Sequence, residues 1–135
     1  MGPLPLSLTS FWEQVGSVDL VGMHPGWPTG LDPLVVNPPR ACVSELDEID
    51  EIVETYGHFE ASLAPDDLHK DNVSGGAPYS LKLPDPRVDF TLNNEMHGML
   101  FVPYLRMAIL RCGGFPGLDD GHARLDVLPS LLEGL

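Results

Sequence analysis

Residues 40–56 read RACVSELDEIDEIVETY, and apolar side chains recur there at Cys42, Leu46, Ile49, Val53 and Tyr56. Alternating steps of four and three place these five positions on one stripe of an α-helix. Gly57 follows where a left-handed residue would end that helix. The other faces carry Glu45, Asp47, Glu48, Asp50, Glu51 and Glu54, with Arg40 the only base in the segment. Acids three or four residues apart on a helix repel by about 0.2–0.5 kcal/mol per close pair. Packing of the apolar stripe must offset that repulsion. A charged face exposed only for solubility ordinarily mixes signs, whereas this one does not. Plain solvation and a docking surface for a basic protein are both open readings of it.

Outward from this segment, the pattern alternates short elements and tight turns. Ser7 or Thr9 can cap a helix through about Val15, with Phe11, Trp12 and Val15 inward and Gly16 at its end. Val18–Val21 and Leu34–Val36 read as strands on either side of a Pro- and Gly-rich loop, 22–30. Phe59–Leu63 reads as a further strand, followed by a polar loop, 64–72, and a turn, 74–78. Tyr79, Leu81 and Leu83 alternate with Ser80 and Lys82, and Val88–Leu92 alternates again, which predicts an antiparallel pair. A second helix is predicted from about Leu100 to Cys112, with Met99, Val102, Leu105, Ile109 and Cys112 on its buried face. Pro103 is compatible with that helix only in its first turn. Gly113-Gly114 ends it, and Phe115–Leu118 forms an apolar turn. The expected fold is a single α+β domain over 1–135, a mostly antiparallel sheet flanked by helices. Its core covers about 4–118, with 119–135 a C-terminal tail.

Composition narrows the function classes. A chain of 135 residues with 43% apolar content suits one compact domain. Twenty acids against seven bases give a net charge of -13. Such a chain repels nucleic acid and anionic membranes, because phosphate binding needs Lys and Arg to displace counterions. The apolar run Met99–Leu110 is too short to span a bilayer and is interrupted by Arg106. The first residues lack the basic and apolar regions of a signal peptide, so a cytoplasmic protein is expected. Cys42, on an apolar helical face, and Cys112, beside two glycines, fit two buried free thiols better than a disulfide.

Candidate chemistry is sparse. Asp66, Asp67, His69 and Asp71 form the densest carboxylate–imidazole cluster, which could hold a divalent cation or serve as turn caps. Their spacing matches no established metal motif. His24 lies beside Pro25 and near Trp27, and His97 precedes Gly98 near the second helix. Ser74-Gly-Gly lacks both the nucleophile elbow and the phosphate-loop ending. Met23, Met96, Met99 and Met107 suit core filling. No catalytic residue, metal or cofactor is expected.

Leu4-Pro5, the aromatic pair Phe11-Trp12 and Val15-Gly16 resemble the opening of SUKH domains, homologues of the yeast cell-wall synthesis regulator and of bacterial toxin-immunity proteins. Ala64-Pro-Asp-Asp-Leu-His-Lys70, Ser74-Gly-Gly-Ala-Pro-Tyr79, Phe101-Val-Pro-Tyr-Leu-Arg106 and Gly113-Gly-Phe-Pro-Gly117 resemble the middle and end of bacterial members. The likeness spans about 4–118. It implies an α+β fold and a protein-binding role, in many bacterial members the neutralisation of a toxin, often a nuclease. Members usually carry a helix before the Leu-Pro step, where this sequence has three residues. A missing helix would leave apolar surface exposed. The leading expectation is therefore an immunity-type domain that binds a basic toxin through Glu45, Asp47, Glu48, Asp50, Glu51 and Glu54. A regulatory scaffold is the alternative, and a small metal-dependent hydrolase using Asp66, Asp67 and His69 is a further one.

Overall fold

The computed structural model describes residues 3–22, 30–42 and 46–119. The first helix, α1 (Leu6–Gln14), starts after Pro5 without a side-chain cap. Ser7 and Thr9 do not cap it. The Ser7 hydroxyl donates to Asp89 Oδ1 at 2.8 Å, and that of Thr9 donates back to the Pro5 carbonyl at 3.2 Å. Leu8 is fully buried and Phe11 and Trp12 are half-buried. Val15 is exposed, contrary to the expected inward face, because the helix has ended at Gln14. There the N–H groups of Val15 and Gly16 both close on the Phe11 carbonyl. Gly16 supplies the left-handed turn at φ +89°.

Two antiparallel ladders follow. β1 (Val18–Asp19) pairs with β2 (Val35–Val36), and β3 (Phe59–Ala64) pairs with β4 (Tyr79–Leu83), with a register shift between Ser62 and Ala64. The α+β class is as expected, with the strands divided between two small sheets. The expected pairing of β4 with residues 88–92 does not form a ladder. Among the described residues, that segment and its neighbours make only the isolated bridges Ser80–Asn93 and Thr91–Leu100. Pro84 and Pro86 break the extended run, and the Asp85 N–H is drawn to the Pro3 carbonyl at 2.8 Å. Phe90 and Leu92 are still buried.

The segment 40–56 is not one described helix. It contains the end of α2 (Pro39–Cys42) and all of α3 (Leu46–Tyr56), and residues 43–45 lie outside the described residues. Ile49 is buried and Ile52 and Val53 are half-buried, but Tyr56 is 72% exposed. The Gly57 N–H closes on the Val53 carbonyl at 2.8 Å and turns the chain into β3. Tyr56 therefore lies beyond the covered part of α3.

The last helix, α5 (Phe101–Arg106), takes Leu100 as its N-cap, which puts Pro103 in the first turn as its missing N–H requires. It continues as a π-helical turn over Met107–Arg111. Its buried residues are Phe101, Tyr104, Met107, Ala108 and Cys112, whereas Val102 and Ile109 are exposed. The predicted face is thus rotated. Phe101 fixes the rotation by stacking on Phe90, with centroids 4.8 Å apart, and meeting Phe11 edge-on at 5.8 Å. The π turn then shifts the residues after it, as the Cys112 N–H bonds to the Met107 carbonyl five residues back. Met107 fills core as expected, but Met96 is exposed; Met23 lies outside the described residues. The 3-10 turn Pro116–Asp119 packs on the backbone at 30–31. A Cβ at Gly117 would fall 2.2 Å from the Gly30 carbonyl oxygen, so only glycine fits there.

The predicted polar loop 64–72 contains a short helix, α4 (Asp67–Lys70), and with it the main polar feature of the core. Lys70 is buried, and its Nζ meets Asp32 Oδ1 at 2.6 Å. The Tyr79 hydroxyl donates to the other Asp32 oxygen at 3.0 Å, and the ammonium lies 4.7 Å from the Tyr79 ring centroid. Asp32 itself takes a left-handed backbone at φ +51°, which Asp tolerates better than most residues. Burial and the Asp32 charge hold the Tyr79 phenol far above its ordinary range, so it remains a donor. Removing Lys70 would leave a buried carboxylate without its cation. Lys70→Met is expected to cost about 3–5 kcal/mol in urea unfolding, and pairing it with Asp32→Asn should recover part of that loss. A cost under about 1 kcal/mol would show that Asp32 does not need the lysine.

Candidate functional site

α3 presents the feature that the sequence singled out. Glu48, Asp50, Glu51 and Glu54 are exposed, and neither Glu51 nor Glu54 meets a basic side chain among the described residues. Glu45 and the side chain of Asp47 lie outside the described residues. The structure thus brings four of the six predicted acids onto one solvent-facing helix surface.

The support beneath this surface comes from α2 and β3. The Asn37 N–H donates to the Leu63 carbonyl at 2.7 Å, and the Asn37 carbonyl accepts from Trp12 Nε1 at 2.9 Å. Cys42 Sγ donates to the Ser62 carbonyl at 3.1 Å. Burial pushes the Cys42 thiol up to about 11, which keeps it protonated and unreactive at neutral pH. Both Cys42 and Cys112 are buried free thiols. Between α3 and β3 a groove of about 230 Å³ remains open, lined by Ala41, Cys42, Glu48, Ile49, Ile52, Phe59, Glu60 and Ser62. Its buried members, Cys42 and Ile49, form the bottom, and the exposed Glu48 and Glu60 stand at the rim. Glu60 is held in place, since its Oε1 accepts from the buried Ser80 hydroxyl at 2.7 Å. Lys82 stands opposite Glu60 across the ladder.

The second candidate, Asp66-Asp67-His69-Asp71, is not drawn to a common point. Asp66 is buried and pairs with His69 Nδ1. Asp67 Oδ1 accepts from the Leu68 N–H at 3.0 Å, and Asp71 Oδ2 accepts from the Gly30 N–H at 2.6 Å. Asp66 also packs against a turn with no room to spare, as a Cβ at Gly76 would fall 1.8 Å from its Oδ2. Among the described residues, no group of three or more His, Cys, Asp or Glu side chains is placed to hold a metal ion. His97 pairs with the buried Glu95 within its own turn, and Glu95 Oε2 also accepts the His97 N–H at 2.9 Å. His24 lies outside the described residues. No helix of the described residues is long and apolar enough to cross a membrane.

Sequence reasoning missed the groove and the buried Lys70–Asp32–Tyr79 network. The helix and strand that border the groove were both legible, but their separation was not. No known family model, curated protein or solved structure matches this chain.

Two carboxyls link stability to acid pH. Burial disfavours ionisation of Asp66, yet the hydrogen bond and charge of His69 outweigh it and hold the carboxyl below the ordinary 3.8. Hydrogen bonds from Arg87 hold Asp85 below 3.8 against its burial. A carboxyl lowered in the folded state stabilises fully above its unfolded value, and that contribution disappears as pH falls through the folded value. Asp66→Asn and Asp85→Asn are each expected to flatten the fall of unfolding free energy between pH 5 and pH 2 (~). Unchanged slopes in urea titrations of both variants would rule this linkage out.

Proposed function

We propose that this chain is a protein-binding domain that docks a basic partner on the acidic face of α3, acting as an immunity-type domain that neutralises a toxin by occupying it. One observation carries the reading: Glu48, Asp50, Glu51 and Glu54 face solvent together, and Glu51 and Glu54 meet no base among the described residues. Like charges held side by side cost stability. A cationic surface would relieve that cost, speed encounter and make binding sensitive to salt. The net charge of -13 acts in the same direction at long range. The toxin-neutralising part of the proposal is supported by the resemblance of residues 4–118 to SUKH domains, and a basic nuclease domain is the partner whose charge fits best.

The test is a binding series against purified basic nuclease-type toxin domains, at low salt and again at about 0.5 M, where the Debye length shrinks to a few ångströms. A quadruple variant, Glu48→Gln, Asp50→Asn, Glu51→Gln and Glu54→Gln, is expected to bind at least about tenfold more weakly, with the loss in the association rate. The changes Glu51→Gln and Glu54→Gln by themselves should leave the melting temperature level or raise it, because helix repulsion is removed. Coexpression of the wild-type chain with the cognate toxin should restore growth. Binding unchanged by either salt or the quadruple variant would defeat the proposal.

A further inference from the structure

Beside the acidic face, the groove between α3 and β3 has its own chemistry. Cys42 and Ile49 at its bottom are buried, Ile52 and Phe59 are half-buried, and Glu48 and Glu60 stand exposed at its mouth. A slot that is apolar at Cys42, Ile49, Ile52 and Phe59 and polar at Glu48, Glu60 and Ser62 suits a side chain that is itself divided, with an aliphatic stem and a cationic head. The volume is sufficient. The groove holds about 230 Å³, and a cavity of roughly 150 Å³ is enough to enclose benzene.

We propose that this groove receives one arginine side chain of the basic partner, its stem against Ile49, Ile52 and Phe59 and its guanidinium at Glu60. The inference rests on the docking role of the α3 face and specifies the anchor that role would use. Arginine fits better than lysine for three reasons. Its guanidinium is less strongly hydrated than an ammonium and so is more easily drawn against apolar walls. Its planar fork bonds a fixed carboxylate at two points, and Glu60 is fixed by the Ser80 hydroxyl. It also stacks on aromatic rings, and Phe59 borders the groove. A second copy of this chain is the wrong occupant, because its net charge of -13 repels an identical molecule.

Four short peptides of equal length, differing only in a central arginine, lysine, citrulline or norleucine, would be titrated into the full chain and followed by backbone amide shifts. The arginine peptide is expected to move the amides of Ile49, Ile52, Phe59 and Ser62, with the other three at least about tenfold weaker. Ala41→Trp fills the mouth and leaves every charge in place, and should abolish those shifts. Glu60→Gln, an exposed change that does not depend on tolerance of the larger residue, should weaken the arginine peptide about tenfold and leave the citrulline peptide unchanged. Equal binding of lysine and arginine, or tighter binding of norleucine, would overturn the assignment of arginine. The double variant Glu51→Gln and Glu54→Gln lies outside the groove and reports on the acidic face alone. A basic toxin domain that is weakened by this double variant but binds Ala41→Trp and Glu60→Gln like wild type would overturn the groove and leave the face standing. Indifference to all of these variants would overturn both.

Discussion

A buried carboxylate shared between an ammonium and a phenol ties together parts of the chain that regular structure alone would not join. Lys70 belongs to a one-turn helix, Asp32 to an irregular segment before β2, and Tyr79 to the start of β4. Two two-stranded ladders offer little independent stability, since isolated hairpins are marginal in water. The network therefore matters less for raw free energy than for geometry. A buried ion pair often does no better than an apolar replacement, but it admits few alternative arrangements, because a misplaced member would be buried without its partner. Lys70 in place sets α4 against β4, and Asp71, next in the chain, holds the Gly30 N–H.

From that tie the remaining architecture follows by packing. The 3-10 turn at 116–119 fits against residues 30–31 only because Gly117 has no Cβ, and its N–H bonds to the Leu31 carbonyl at 2.8 Å. The same backbone thus receives the end of α4 through Asp71 and the 3-10 turn through Gly117. β3 is joined to α2 by the Cys42 bond and to the residue pair ahead of α2 by the Asn37 bond, and α3 packs on β3 beside them. α3 contributes one buried side chain among those described, Ile49, with Ile52 and Val53 half-buried beside it. A helix seated in this way leaves a groove beside it and turns its acids to solvent. The groove and the acidic face have a single structural origin.

Electrostatics distinguish the two carboxylate-rich regions. Around 66–71 each acid is matched within the fold: Asp66 with His69, Asp67 with a backbone N–H, and Asp71 with the Gly30 N–H. On α3, Glu51 and Glu54 have no such match among the described residues. The first region is therefore a structural turn built from charged groups, and the second is a surface whose field extends into solvent.

Residues within a few positions of one another determined much of this by themselves. The one-sided charge of 46–56, the stop at Gly57, the entry of α5 ahead of Pro103 and the double-glycine exit at 113–114 all follow from periodicity and backbone geometry. Those constraints act within a turn or two, so the sequence states them directly. Tertiary packing alone decided the rest. Phe90 and Phe11 selected the buried face of α5, where helical spacing by itself favoured Val102 and Ile109. Two prolines removed 88–92 from the sheet that its alternation predicted. Lys70 and Asp32 lie 38 positions apart, Lys70 in a segment that read as a polar loop and Asp32 between a loop and a strand. Their pairing depends on the low-dielectric interior that encloses them, and that interior exists only once the elements have assembled.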